Sequence, residues 1–158
     1  MSKSLKRVKA NALELGLTIS PIEMTVSTKT AKEAANAISV HLNQIAKSVI
    51  FKSARTQGAV LFLTAGGNRV DVQRAEDVHG AVLLKADAAF IRQETGFAIG
   101  GVSPIGHLKP IETFYDPDLG AFPTIWAAAG TPHHMFEIVP QVLFKAIHAE
   151  RAEFTEVR

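Results

Sequence analysis

Two runs decide the fold, Ala46-Lys47-Ser48-Val49-Ile50-Phe51-Lys52 and Ala59-Val60-Leu61-Phe62-Leu63-Thr64. Both are rich in β-branched, aliphatic and aromatic residues. Between them Ala54-Arg55-Thr56-Gln57-Gly58 has the composition of a turn, so the pair reads as two antiparallel strands. Alternation along the first strand puts Lys47 on one face with Val49 and Phe51, and Ala46, Ser48, Ile50 and Lys52 on the other. A lysine among apolar neighbours needs a reason. Either it ends a strand, lays its stem on the core and snorkels to water, or it is an ammonium held at a pocket mouth to bind a phosphate or an oxyanion.

Upstream, Leu5, Val8, Ala12 and Leu15 recur at helical spacing before Gly16, which predicts an amphipathic first helix. Thr30-Ala31-Lys32-Glu33 has the form of a capping box, followed by Ala34, Ala35, Ile38 and Val40 as packing residues of a second helix. Downstream, Gly66-Gly67-Asn68 is a turn leading into a short Arg69-Val70-Asp71 strand. Helical segments are expected through Asp77 and from Asp87 to Glu94. Ile111 to Tyr115, Thr124 to Ala128 and His134 to Val139 read as further short strands, and Pro140 suits the first position of a closing helix carrying Val142, Leu143 and Ile147. Neighbouring strand pairs with helices around them predict an α+β domain with a mixed, strongly curved, barrel-like sheet, not a doubly wound one.

With 158 residues, 47% apolar and 20% charged, the chain fits one domain over residues 1–158 with a substantial core. It has no cysteine, which excludes disulfides, thiolate metal sites and a cysteine nucleophile. No apolar run approaches the ~20 residues that span a bilayer, and no apolar segment follows the basic N-terminus. A soluble, unprocessed, cytoplasmic protein is expected. Net charge is +2, but residues 1–79 hold 11 Lys and Arg against 6 Asp and Glu, while residues 80–158 hold 6 against 9. Lys3, Lys6, Arg7, Lys9, Lys29, Lys32, Lys47, Lys52, Arg55 and Arg69 are either a field that attracts phosphate or ordinary solvated cations.

The other unusual stretch is Gly96-Phe97-Ala98-Ile99-Gly100-Gly101-Val102-Ser103-Pro104-Ile105-Gly106. Its glycines let the backbone bend tightly and approach another group, and a loop of this kind can aim N–H groups at an anion or at a developing oxyanion. A plain crossover between helix and strand has the same composition. The segment has neither the Gly-Lys-Ser/Thr ending of a phosphate-binding P-loop nor a dinucleotide fingerprint, and Ser103 is not in a nucleophile elbow. If His133 and His134 lie on a strand, their side chains point to opposite faces, and no H-E-x-x-H spacing exists, which argues against a metal site; His134 is either a hydrogen-bonding group facing the site or a surface or rim histidine. Asp116 and Asp118 flank Pro117 as turn formers, so no catalytic carboxylate pair emerges.

In this order, Gln44-Ile45-Ala46-Lys47-Ser48-Val49-Ile50-Phe51, the Gly100 to Pro104 sequence, Tyr115-Asp116, Ala129-Gly130-Thr131 and Pro140 make the chain resemble the YbaK-like family. The family is also called prolyl-tRNA synthetase-associated or editing-insertion domains. The resemblance runs over about residues 5–150, and its most specific part is Q-x-x-K followed by G-x-x-x-P. It implies a free-standing hydrolase of mischarged aminoacyl-tRNA, above all tRNA-Pro carrying Cys, Ala or Ser, with prolyl-tRNA synthetase a conceivable partner and no cofactor or metal. By that resemblance Lys47 holds the terminal adenosine or its phosphate, and the backbone at Gly100 and Gly101 holds the aminoacyl carbonyl. Ser48, Ser103, Pro104, Ile105 and His134 border the substrate, and a ribose hydroxyl assists the attacking water. Ser48 stands where many relatives have threonine or asparagine, and Ile105 where phenylalanine is common, so the amino acid removed is left open. The alternatives are a non-catalytic tRNA- or synthetase-binding module of the same fold, and hydrolysis of another small activated ester or nucleotide.

Overall fold

A computed structural model describes residues 2–157; Met1 and Arg158, the ends of the expected domain, lie outside the described residues. The two deciding runs form β2 (Ala46–Ser53) and β3 (Ala59–Ala65), paired antiparallel with Lys47 opposite Thr64 and Val49 opposite Phe62. The tip is tied by the Ser53 hydroxyl, which accepts from the amides of Arg55 and Thr56 at 3.2 Å each. Every residue of β3 is buried, as befits the middle of a sheet covered on both faces.

Around this pair lie β4 (Leu83–Lys85), β5 (Glu112–Tyr115) and β8 (Glu150–Arg151), giving a five-stranded sheet in the order β4-β2-β3-β5-β8. β3 with β5 and β5 with β8 are parallel, and the other pairs antiparallel, so the sheet is mixed as expected. A second sheet of three strands is made by β1 (Ile22–Glu23), β7 (His134–Ile138) and β6 (Ile125–Ala128). A single parallel bridge, Ile45 to Trp126, connects the two sheets. The barrel-like, strongly curved sheet expected from the sequence is therefore corrected. The hydrogen-bonded order is open: the edge strands β4 and β8 pair with β2 and β5 and, among the described residues, not with each other, so the sheet does not close. The expected Arg69–Asp71 strand reduces to one bridge between Val70 and Thr155.

The helices begin where the capping chemistry predicts. Ser2 caps α1 (Lys3–Glu14), whose Leu5, Val8 and Ala12 are buried. Thr30 and Glu33 form a complete capping box on α2 (Ala31–Ile38). Asp71 and Asp87 cap α3 (Val72–His79) and α4 (Ala88–Thr95), and Pro140 opens α5 (Pro140–Ala146). The largest core cluster joins α1, β3, β6, β7 and α5, and the glycine-rich loop contributes Phe97 and Ile105 to it. α2 packs through Ala34 and Ala35 on Ile45 and Met135. Among the described residues no helix is long and apolar enough to cross a membrane.

Candidate active site

β4 pairs only with Phe51–Ser53 of β2. Residues 46–50 of β2 therefore have no strand neighbour on that side among the described residues, and a cleft of about 580 Å³ runs along this open edge. The edge location explains why five consecutive residues, Ala46 to Ile50, line it although their side chains alternate between faces. The start of α2, with Thr28 to Lys32, forms another part of the wall, and Ile99, Gly100 and Val102 of the glycine-rich loop a further one. Ile45, Ala128 and Met135 supply apolar surface.

Lys47 is half-buried, and its ammonium donates to the Gly66 carbonyl at 3.4 Å. That carbonyl is held by a rigid turn. Gly67 N–H donates to Asn43 Oδ1 at 2.7 Å, and buried Asp116 accepts from Ala65 N–H at 3.1 Å and from Asn68 Nδ2 at 2.8 Å. Asp116, a turn former in the sequence, is thus a brace for the residue that meets Lys47. Ser48 also lines the cleft, and its hydroxyl is buried without a hydrogen-bond partner among the described residues, an arrangement that costs stability unless a ligand completes it.

Gly100 has φ +91°, and a Cβ there would stand 2.8 Å from Cγ of Lys29, so the lysine stem lies directly over the loop backbone. Gly101 is different. A Cβ there would meet the Thr131 backbone at 2.8 Å, and its own N–H donates to Ala98 O at 3.1 Å. Its amide is engaged in the loop's turn and its α-carbon against the neighbouring loop.

Of the eight residues singled out by sequence, the structure brings Lys47, Ser48 and Gly100 to the cleft wall. It places Gly101, Ser103, Pro104, Ile105 and His134 elsewhere. Ser103 is fully buried and its hydroxyl accepts from Ile105 N–H at 3.2 Å. Pro104 and Ile105 border a separate groove beneath α1, with Ile105 packed in the main core. His134 hydrogen-bonds through Nδ1 to the Thr131 hydroxyl at 2.6 Å, while His133 is exposed in the preceding turn. Sequence reasoning did not single out Lys29, Lys32 or Ile99 as site residues. The two lysines precede and open a helix like any solvated pair, and only the fold brings them to β2.

Among the described residues, the cleft lining contains three lysines and no Asp, Glu, His or Cys. It can attract phosphate and stabilise an oxyanion, but supplies no side chain with the usual acid–base range. Over residues 25–146, the sequence matches the pattern of the aminoacyl-tRNA editing domain. The chain belongs to the aminoacyl-tRNA editing domain family. This editing domain also superposes on a solved structure of a candidate trans-editing enzyme for prolyl-tRNA synthetase, with a TM-score of 0.93 and 39% identity over 99% of each chain. The Bacillus subtilis protein YwhH is 29% identical over 140 residues, 89% of this chain and 88% of its own. The Enterococcus faecalis protein EbsC, named as a candidate Cys-tRNA(Pro)/Cys-tRNA(Cys) deacylase, is 22% identical over 126 residues, 79% of this chain and 76% of its own.

Proposed function

We propose that this editing domain acts in trans to hydrolyse mischarged aminoacyl-tRNA, above all tRNA-Pro carrying a small amino acid such as Cys, Ala or Ser. The observation that carries the reading is the cleft itself. Lysines rim it without a carboxylate, it is walled by the β2 edge and the Gly100 loop, and its volume of about 580 Å³ falls in the usual size range of small-ligand sites. The phosphates that lead to a tRNA's terminal adenosine match that charge, and the adenosine with a small aminoacyl group matches that size. The names of two similar proteins, a candidate trans-editing enzyme for prolyl-tRNA synthetase and a candidate Cys-tRNA(Pro)/Cys-tRNA(Cys) deacylase, support this substrate class.

In the proposed reaction a water oxygen bonds to the aminoacyl carbonyl carbon, the carbonyl oxygen takes up the negative charge, and the bond to the ribose oxygen then breaks. The water's proton ends on that departing oxygen, giving free amino acid and a tRNA hydroxyl. Lys47 positions the terminal nucleotide and, with the backbone at Gly100, offsets developing charge. The family resemblance implies that the neighbouring ribose hydroxyl of the substrate orients the water, in keeping with a lining that holds no Asp, Glu or His among the described residues.

The same lack of an acid–base side chain is what a binding module of this fold would have, so hydrolysis must be measured directly. Incubation with a panel of mischarged tRNAs should release amino acid from at least one member well above its spontaneous rate. Spontaneous rates throughout, with tRNA still bound, would support the binding module instead. Association with prolyl-tRNA synthetase is a further expectation, checked by co-sedimentation.

A further inference from the structure

The fold sorts the basic residues of the N-terminal half. Arg7 is turned inward, donating from Nε to Gly106 O at 2.7 Å with its guanidinium carbon 4.6 Å from the Phe97 ring centroid. Arg55 donates to Gly80 O at 3.3 Å, and the Lys52 ammonium sits 5.4 Å from the ring centroid of Phe90. Of the ten basic residues named above, Lys29, Lys32 and Lys47 are the ones that line the cleft. Lys47 is half-buried on the β2 edge, whereas Lys29 and Lys32 are exposed at the start of α2. The nearest carboxylate in sequence, Glu33, is turned back into the capping box, where it accepts from Thr30 N–H at 3.3 Å and from the Thr30 hydroxyl at 3.0 Å. The lysine pair thus shares the cleft with no lining counter-charge, and Lys29 is held in place by its stem lying over Gly100.

We propose that Lys29 and Lys32 form a phosphate rim that takes the backbone of the single-stranded 3′ acceptor end where it leaves the cleft, while Lys47 serves the terminal nucleotide. The inference rests on the reading of the cleft as the site for an aminoacylated tRNA end. A strand whose last nucleoside enters a cleft must carry its next phosphates past the mouth, one charge per nucleotide. Cations there lower the free energy of the bound tRNA in its ground and transition states alike. Their loss therefore raises KM and leaves kcat unchanged.

Two phosphate contacts on a single strand add about 1.4 to the slope of log affinity against log salt, about a sevenfold change between 50 and 200 mM. The test is titration of a tRNA-Pro transcript with wild type, Lys29→Gln/Lys32→Gln, Lys29→Arg/Lys32→Arg and the remote control Lys9→Gln. The glutamine pair should lose about 1.4 of the slope, the arginine pair should keep it, and the control should match wild type. A slope unchanged in the glutamine pair, or lowered equally by Lys9→Gln, overturns the rim. Aminoacyl-adenosine, which lacks those phosphates, separates the two claims. The glutamine pair should lose less kcat/KM on it than on the tRNA, and an equal loss on both would place the lysines in the reaction rather than at a rim. Failure of wild type to hydrolyse either substrate removes the deacylase reading and leaves the salt slope to decide the rim.

Discussion

Ile99, Gly100 and Val102 line the lysine-rimmed cleft, whereas Ser103 to Gly106, the next part of the same loop, are buried, and Pro104 to Gly106 border the groove beside α1. The first part meets Lys29 across a glycine at φ +91°. The second is fixed by side chains of α1: Gly106 N–H donates to Asn11 Oδ1 at 2.8 Å and Gly106 O accepts from Arg7. The groove beside it contains His79, His107 and His148 together with Glu112 and Glu150, in contrast to the wholly cationic ionisable lining of the cleft. One glycine-rich sequence thus presents a backbone to the cleft and, a few residues later, anchors that backbone in the core.

If the anchor and the working surface are distinct, substitutions should separate stability from turnover. Phe97 is fully buried at the start of the loop and carries the Arg7 guanidinium on its ring, so Phe97→Ala should cost about 3–5 kcal/mol in denaturant unfolding. A cost below 1 kcal/mol would mean that the loop is not anchored there. Ser103→Ala leaves the Ile105 N–H without its acceptor and should lower stability by about 1–2 kcal/mol, with kcat/KM for a hydrolysed tRNA within about twofold of wild type. A large loss of turnover without loss of stability would bring Ser103 back to the substrate.

A smaller effect is expected from pH. Burial lowers the His107 pKa below its usual 6.5, Arg7 adds to that, and the hydrogen bond from Nε2 to Ser103 O at 2.7 Å opposes it. The neutral ring is favoured in the folded protein. As pH falls below about 6.5, the unfolded chain binds the proton first, so this stabilisation is present above that pH and is lost on acidification through the lower folded pKa. His107→Gln should make stability less steep in pH over that window, read as the difference from wild type in chemical unfolding curves. An identical slope would show that His107 does not contribute.

Much of this was legible in the sequence where the pattern is local. The period-two strands β2 and β3, the Thr30–Glu33 box and Pro140 each carry their own signal, and each forms as expected. β1, β4 and β8 are two or three residues long, too short for any periodicity, and they went unrecognised. The short reach of β4 has a consequence for the site, since it leaves residues 46–50 of the β2 edge open. At the site, Lys47 and Gly100 stood out as a lysine on an apolar face and a glycine in a turn. The loop's inward bend after Val102 did not, since Ser103, Pro104 and Ile105 suit a pocket wall and a core equally well. Lys29 and Lys32 were hidden for the opposite reason: their role depends wholly on what the fold puts beside them.

The most direct test of the central claim is single-turnover hydrolysis of Ala-tRNA-Pro by wild type and Lys47→Ala, with the folded state of both checked by thermal unfolding. The cleft account predicts hydrolysis by wild type and a rate at least about tenfold lower in the variant, a loss of ~1.4 kcal/mol of transition-state stabilisation, with folding intact. Equal rates in two equally folded proteins would contradict it.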